Sequence, residues 1–355
     1  MFKKNLLLIV LFLANSCSQK KTPTTIKLAH SLDVSHPVHK AMVYMADRVD
    51  EKSDGKMRVD IYPGGQLGNE RELIELIQIG SLAMTKVSTA PLEGFIPDMK
   101  IFGMPYLFEN DEHRWSILNG EIGKSLLRSG ETFFLKGMCY YDAGSRSFYT
   151  KDKSIDNPSD LKGLKIRVQK SQTSINMVKS LGGAATPIPW GELYTSLQQG
   201  VVDGAENNPP SFYLSKHYEV CKFFSLDEHT SIPDVLIMST FIWNSLTTIE
   251  KDWLQSSIDE SAEYQRDLWK IATQTALKNI QRECESNRDL EAPEIFTVLP
   301  IKGYSIATRD NNSCYGQLSD GKVAAIADNQ NDIPNYFYDY LSGRITCSSN
   351  NSSNE

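Results

Sequence analysis

The chain has 355 residues, of which 40% are hydrophobic, 23% charged and 10% aromatic, as in an ordinary globular protein. A chain of this length typically folds into about two domains. The net charge of −7 disfavours binding to nucleic acids and to anionic membrane surfaces, because these partners are themselves negative. If the ligand is an acid, local positive groups must overcome the field of the whole chain.

The N-terminal segment, residues 1–17, predicts an export signal. Two lysines precede an apolar run at residues 6–13, and small residues follow as far as Cys17. The run is shorter than the roughly 20 residues that a stable spanning helix needs. Cys17 resembles the lipidated cysteine of the bacterial lipobox, and a plain cleaved signal is the alternative. Residues 18–25 are polar and are interpreted as a tether.

The next elements indicate a strand, a helix and a second strand. Residues 26–29 and 57–62 alternate between apolar and polar side chains, and apolar residues recur at helical spacing over 38–52. This order and these lengths are typical of a βαβ unit, so we expect these two strands to be parallel.

A second helix is predicted to begin at Asn69, because Glu72 three residues later completes a capping box. Glu70 lies in the first turn and is expected to be exposed, where its carboxylate can accept hydroxyl groups of a sugar-like ligand. Residues 82–88 are predicted to form a strand, and Ser88 at its end offers a hydroxyl group to a cleft. Ordinary turn chemistry is the alternative for Ser88.

The stretch from 144 to 210 carries the strongest functional signal. Arg146, Arg167 and Asn207 each lie at or beside the end of a short segment rich in β-branched and aromatic residues. Polar groups on the ends of separate short strands predict a shared mouth. The three predicted strands are 147–150, 164–169 and 201–207.

Two arginines in one mouth favour an acidic ligand. A guanidinium group is planar, always charged, and presents paired N–H groups that match a carboxylate. Each hydrogen bond to a charged group contributes about 1.5–3 kcal/mol, so a few of them approach the roughly −8 kcal/mol of a micromolar site. The alternative is that each arginine pairs with a nearby aspartate or glutamate on the surface.

Two later features contribute to the predicted architecture. Trp190 follows a proline and is expected to project from a loop, where its indole either stacks on a ligand or packs in the core. Residues 247–250 form a capping box that begins a helix with one apolar face over about 35 residues, or about 50 Å. A helix of that length is expected to brace both lobes.

Metal binding and catalysis are disfavoured by what the sequence contains. The cysteines beyond Cys17 are widely spaced, with Cys314 and Cys347 the best disulfide candidates and reduced thiols the alternative. His36 and His39 are three residues apart but have no nearby third metal ligand. No HExxH, GxSxG or P-loop motif is present, so we expect neither a metal nor a cofactor. A glycosidase using Glu70 and a second carboxylate, Glu206, is an alternative, as is a sensor input domain.

The order of the motifs IKLAH, PGGQLGNERELIELIQIGSLAM, AGSRSFY, DLKGLKIRVQ and PIPWGELYTSLQQGVVDGAENNPP resembles that of the DctP-family solute-binding proteins of tripartite ATP-independent periplasmic (TRAP) transporters. The resemblance covers residues 26–285, and the GSRSFY and ENNPPSF segments look most like those of uronate binders.

The resemblance implies an α/β, two-lobe periplasmic solute-binding-protein fold with mixed sheets, crossover hinge strands and one long bracing helix. Residues 26–146 and 233–272 are expected to form lobe I. Residues 147–232 and 273–345 are expected to form lobe II, and 346–355 a disordered tail.

The resemblance also assigns roles. Arg167 would be the main carboxylate clamp, Arg146 a second arginine, Asn207 the ligand-binding amide, Glu70 an acidic contact and Trp190 an aromatic wall. Further candidate ligand contacts are Gln169, His36, Ser88 and Phe212.

The implied function is that of an extracytoplasmic receptor that captures a uronate, such as glucuronate or galacturonate, by lobe closure. It would be a monomer in the periplasm or on the extracytoplasmic face, anchored through Cys17, and would deliver its ligand to TRAP membrane subunits. A C4-dicarboxylate or another organic acid, or an enzyme acting on acidic sugars, is the alternative.

Overall fold

The computed structural model describes residues 22–286 and four further strands at 294–296, 305–310, 313–317 and 323–327. The side chains it describes end at residue 280. Cys17, Cys347 and the predicted signal and tail therefore lie outside the described residues, as does the side chain of Cys314. In the described part, the α-helices in chain order are α1 Pro37–Ser53, α2 Glu70–Gln78, α3 Thr89–Leu92, α4 Asp111–Asn119, α5 Glu121–Ser129, α6 Gln172–Ser180, α7 Leu193–Gln198, α8 Pro209–Leu214, α9 Thr240–Ser245 and α10 Thr248–Ser286.

The strands form three sheets. They are β1 Thr24–Ala29, β2 Met57–Tyr62, β3 Met84–Ser88, β4 Leu135–Tyr141, β5 Arg146–Thr150, β6 Lys165–Val168, β7 Ala184–Pro187, β8 Gly204–Asn207, β9 Phe223–Thr230, β10 Asp234–Ser239, β11 Glu294–Phe296, β12 Ser305–Asp310, β13 Ser313–Gln317 and β14 Val323–Ala327. Sheet I has the order β2-β1-β3-β10-β4, and sheet II the order β11-β9-β5-β8-β6-β7. The strands β12, β13 and β14 pair in a small third sheet.

The predicted βαβ unit is confirmed as β1-α1-β2, because β1 and β2 pair in parallel along their whole length. Helix α1 begins where the His36 side chain accepts the backbone N–H of Val38, and it ends at Asp54, whose backbone is left-handed. Its apolar side is fully buried against the first sheet. Sheet I is mixed, since β10 runs antiparallel to both β3 and β4.

Sheet II contains the three strands predicted around the mouth, and they are direct neighbours. Strand β5 pairs antiparallel with β8, and β8 pairs in parallel with β6. Ser147 lies opposite Asn207 in this register, and Arg167 opposite Ala205. The polar groups of the three strands are therefore brought to one region of the sheet.

Two short connections, residues 142–145 and 231–233, cross between sheets I and II, and α10 later leads from sheet I to β11 of sheet II. The hydroxyl groups of Ser145 and Ser231 lie 3.0 Å apart, so the two crossings run side by side. In the first crossing, the Asp142 carboxylate accepts an Arg114 N–H at 2.9 Å. The Gln265 amide accepts the backbone N–H of Asp142 at 2.6 Å and donates to its carbonyl at 2.8 Å. These bonds fix the crossing to the rest of the molecule.

The predicted long helix is α10, which spans 39 residues, or about 58 Å at 1.5 Å per residue. It begins at the Thr247–Glu250 capping box that the sequence predicts. It lies against α1, which covers sheet I, and against α8, which follows β8 of sheet II. The helix therefore contacts both halves, as expected. Among the described residues, no helix combines the length and apolarity needed to cross a bilayer.

Gly144 in the first crossing has a backbone that only glycine adopts freely. Its φ is +58°, and a Cβ added there would lie 2.8 Å from the indole nitrogen of Trp269 on α10. Trp269 is itself buried. The close approach of helix and crossing therefore requires glycine.

We expect Gly144→Ala to lower the free energy of unfolding by about 2–4 kcal/mol, because it combines left-handed backbone strain with overpacking. Chemical denaturation would measure this loss. Gly163→Ala is the matched control, since Gly163 has φ +82° but open space around it, and it should cost about 1 kcal/mol. Equal losses in the two variants would contradict the proposed packing of Trp269 on Gly144.

Candidate ligand-binding cleft

A cleft of about 690 Å³ lies between the carboxyl ends of strands from the two sheets. Its walls come from segments that follow β1, β2 and β3 on one side, and from β6 and the segments after β6 and β7 on the other. Ser31, Glu70, Gln169 and Trp190 also line a smaller cavity of about 40 Å³, which we call the inner chamber. Ligands of α/β proteins commonly bind at such strand ends.

Arg167 lines this cleft, and one of its guanidinium nitrogens is unpaired. The side chain is 2% exposed, and its Nε donates to the Ile188 carbonyl at 2.9 Å. Its Nη1 has no hydrogen-bond partner among the described residues. Burial lowers the pKa of Arg167 from its ordinary value, but a guanidinium remains charged at neutral pH. A buried cation with a free donor is a strong site for an anion, because an unmade bond there is costly.

Arg146 does not form the open second clamp that the sequence predicts. Its guanidinium group makes a buried ion pair with the Glu206 carboxylate and donates to the Glu206 carbonyl at 2.7 Å. Its Nη1 donates to Asn207 Oδ1 at 2.9 Å. The charge of Arg146 is therefore balanced inside the protein, which is the pairing alternative, although at a buried position rather than on the surface.

Asn207 is oriented by these bonds. Its Oδ1 accepts from Arg146 and from the backbone N–H of Asn208, both at 2.9 Å. Asn207 lines the inner chamber. With its carbonyl group used twice by the protein, the amide NH₂ group is the part of the side chain left to donate to a ligand.

His229 lies next to Glu206 and contacts two further side chains, Asp227 and Phe148. His229 Nδ1 lies 3.0 Å from an Asp227 carboxylate oxygen, and His229 Nε2 lies 3.9 Å from Glu206. The imidazole ring stacks on Phe148, with 4.2 Å between the ring centroids. Asp227 and Phe148 thus fix the His229 ring beside the ion pair.

Glu70 is not exposed, which corrects the sequence expectation. Only 14% of its side chain is accessible, and it accepts the backbone N–H of Ser88 at 3.1 Å. Lys86 Nζ lies 3.5 Å from Glu70 and 2.8 Å from Asp234. Burial raises the pKa of Glu70, and the nearby ammonium of Lys86 opposes this shift. Glu70 nevertheless lines both the cleft and the inner chamber.

Lys86 and Asp234 are site residues that the sequence reasoning missed. Both line the inner chamber and lie in strands whose residues are all buried. The sequence does place each of these charged residues within a strand that is otherwise uncharged. A charge buried there requires a partner, and this requirement was the signal that could have identified the pair.

Two contacts join the halves across the inner chamber. Ser88 Oγ donates to Gln169 Oε1 at 3.2 Å. His36 Nε2 lies 3.4 Å from Ser211 Oγ, and its Nδ1 accepts the Val38 N–H, so the proton is on Nε2. The structure thus places Ser88, Gln169 and His36 at the chamber, with the two halves in contact.

The two aromatic candidates differ. Trp190 is half-buried and lines both cavities, and its ring lies 5.9 Å from the Arg167 guanidinium carbon. Phe212 is fully buried between Tyr149 and Phe224 and lines neither cavity. The ring of Phe212 thus belongs to the core of the sheet II half, and a ligand contact at Phe212 remains a prediction.

The residues from 22 to 280 contain no cluster of three histidine, cysteine, aspartate or glutamate side chains that could hold a metal ion. Cys139 and Cys221 are buried free thiols. Burial raises the pKa of both thiols, so neither is a ready nucleophile.

We expect Glu206→Gln to lower the free energy of unfolding by about 3–5 kcal/mol, because it leaves the buried charge of Arg146 without its counter-ion. Glu260→Gln is the matched control. Glu260 pairs with Arg48 and Lys52 at a more exposed position, where such a pair contributes about 0–1 kcal/mol. Urea denaturation of both variants would compare the costs, and an equal, small loss would contradict the structural role of the ion pair.

Comparison with known proteins identifies the family. Residues 28–295 match the DctP model, bacterial extracellular solute-binding protein, family 7. The protein YiiZ of Salmonella typhimurium is 38% identical over 69% of this chain and 75% of its own length. A TRAP periplasmic solute-binding protein of Bradyrhizobium, solved with galacturonate, is 35% identical, with a TM-score of 0.73 over 78% of this chain and 89% of its own.

A TRAP periplasmic solute-binding protein of Sulfurospirillum deleyianum, solved with succinate, is 28% identical and has a TM-score of 0.74. The alignment covers 78% of this chain and 88% of that one. The family model spans well over half of the sequence, and the two solved structures share its fold. The chain belongs to the DctP family of bacterial extracellular solute-binding proteins, the solute receptors of TRAP transporters.

Proposed function

We propose that this receptor captures a sugar acid, with a hexuronate such as galacturonate or glucuronate as its ligand class, and delivers it to TRAP membrane subunits. The proposal depends above all on the free guanidinium nitrogen of Arg167, which is buried in the cleft. Members of the family are receptors and not enzymes, so the ligand leaves chemically unchanged.

The ligand carboxylate is expected at Arg167. The ion pair with Glu206 already neutralises Arg146, so Arg167 is the guanidinium group whose charge remains to be matched in this site. A carboxylate there would accept the free Nη1 donor in a site from which closure excludes water, and such charge-assisted bonds are stronger in that environment.

The hydroxyl groups of a sugar acid match the remaining polar groups. Glu70 offers carboxylate acceptors, and Asn207 offers its amide NH₂ group. A second carboxylate in the inner chamber would instead meet the negative charges of Glu70 and Asp234, whose direct ion-pair partner is the single ammonium group of Lys86. This arrangement favours one carboxylate and several hydroxyl groups over a C4-dicarboxylate such as the succinate of the Sulfurospirillum relative.

Capture proceeds by closure of the two halves. Arg167, Gln169 and Trp190 come from the sheet II half, whereas Glu70 and Ser88 come from the sheet I half. A ligand that contacts both groups stabilises the closed form in proportion to its preference for that form. We propose that the receptor works as a monomer outside the cytoplasm, held to the membrane by a lipid on Cys17.

A thermal-shift screen tests the ligand class. The panel contains galacturonate, glucuronate, a hexonate, succinate and glucose. A ligand present at a hundred times its dissociation constant should stabilise the folded protein by about 2.7 kcal/mol. We expect the sugar acids to stabilise the protein and glucose to have no effect. Stabilisation by glucose equal to that by glucuronate, or by succinate alone, would contradict the proposal.

We expect Arg167→Lys to weaken binding of galacturonate roughly ten- to hundredfold, because an ammonium group cannot reproduce the geometry of a guanidinium. Isothermal titration calorimetry would measure the change. Arg128→Lys is the control, since Arg128 is exposed at the end of α5 and lines neither the cleft nor the inner chamber. An unchanged dissociation constant in Arg167→Lys would remove Arg167 from the site.

A further inference from the structure

Glu93 joins the two halves of the molecule outside the ligand-binding cleft. Strand β3 of sheet I leads directly into the short helix α3, and Glu93 is the first residue after that helix. Its Oε1 accepts the backbone N–H groups of Gln172 and Thr173, the latter at 3.1 Å. These are the first two residues of α6, which belongs to the sheet II half. One carboxylate oxygen thus holds a helix of the opposite half.

The two N–H groups are donors that α6 cannot satisfy itself. The first turn of any α-helix has N–H groups without intrahelical acceptors, and its dipole favours a negative charge nearby. Ser171 supplies one acceptor from within the same half, through its hydroxyl group to the N–H of Ser174 at 3.0 Å. Glu93 supplies the acceptor for two others, and it can do so only while the halves are together.

The halves also touch sterically at this point. A Cβ added to Gly103, in the segment after α3, would lie 2.9 Å from Cγ2 of Thr173. The segment from the sheet I half therefore packs directly on the first turn of α6. Neither Glu93 nor Thr173 lines the cleft or the inner chamber. This contact lies beside the ligand site and not in it.

The second carboxylate oxygen limits how strongly this contact holds. Glu93 Oε2 is buried and makes no hydrogen bond to any described residue. When the halves separate, water can hydrate both oxygens of Glu93. On closure, Oε1 gains two N–H bonds, whereas Oε2 loses its water and gains no partner among the described residues. The contact by itself therefore favours closure only weakly, and a ligand must supply the rest.

We propose that Glu93 is a positioning residue for ligand capture. By accepting the N–H groups of Gln172 and Thr173, a contact that we call the clasp, it slows the opening of the closed, loaded receptor. This rests on the proposed capture of an acid by closure. Because the clasp forms with the closed state and does not touch the ligand, it acts on dissociation and acts equally on every ligand. A ligand contact would instead change affinities selectively.

Stopped-flow fluorescence with galacturonate and glucuronate tests the clasp. We expect Glu93→Ala to raise the dissociation rate about tenfold for both acids and to leave the association rate within about twofold, as contacts of the closed complex typically do. Glu112→Ala is the matched control, an exposed glutamate on α4 of the same half, and should change neither rate. If Glu93→Ala raised the dissociation rate of one acid only, or left both dissociation rates unchanged, the proposal would be overturned.

A second variant changes the residue on the sheet II half whose N–H group Glu93 accepts. Gln172 is the first residue of α6, a position where proline is well tolerated, and Ser171 before it has the extended backbone that a following proline requires. Gln172→Pro removes one N–H donor and should raise the dissociation rate by less than Glu93→Ala. The double variant should dissociate no faster than Glu93→Ala, whereas additive effects would show that the two residues act separately.

Amide hydrogen exchange separates failure of the clasp from failure of the proposed ligand class. In the fraction of the ligand-free receptor that closes spontaneously, Glu93 accepts the amides of Gln172 and Thr173, so these amides should exchange faster in Glu93→Ala than in the unmodified chain, by a smaller factor than in the loaded receptor. If no acid in the screen binds, the sugar-acid function fails, and this exchange alone decides the clasp. Equal exchange in both proteins would overturn the clasp even if galacturonate binds.

Discussion

The buried ion pair between Arg146 and Glu206 is the interaction on which the rest of the site depends. It links β5 to β8 at the base of the inner chamber and fixes the direction of the Asn207 amide through a shared hydrogen bond. It also removes one positive charge from the site, so that Arg167 is left as the guanidinium group with an unmatched donor. Such a pair is costly to bury and is retained here in a position where it orients a ligand-binding side chain. The cleft is thus organised by a charge pair that need not touch the ligand.

Much of the fold could be predicted from the sequence, because its signals are local. The capping boxes at Asn69 and Thr247 and the apolar face of the long helix depend on residues a few positions apart. The chemistry of the site depends instead on pairings across strands. Arg146 and Arg167 look equivalent in the sequence, since each lies in a short strand within the same stretch. What distinguishes them is the register of β5 on β8, which brings Glu206 to Arg146 alone.

Glu70 is a second case in which contacts between residues distant in sequence decide the environment of a side chain. Its place in the first turn of a helix predicted exposure, yet Lys86 from β3 and Asp234 from β10 enclose it. These partners are 16 and 164 positions away in the chain, and only the mixed order of sheet I brings them together. The burial of Phe212 is a similar case, because the sequence does not reveal that its helix α8 directs the ring between Tyr149 and Phe224.

The continuous helix α10 has a mechanical consequence. It is fixed to the first crossing through Gln265 and lies against one helix from each half. Separation of the halves must therefore flex this rod or shift it along one of its neighbours. A flexed helix resists with an elastic restoring force that grows with the opening angle. An opening that bends α10 therefore meets a resistance that an opening by sliding avoids.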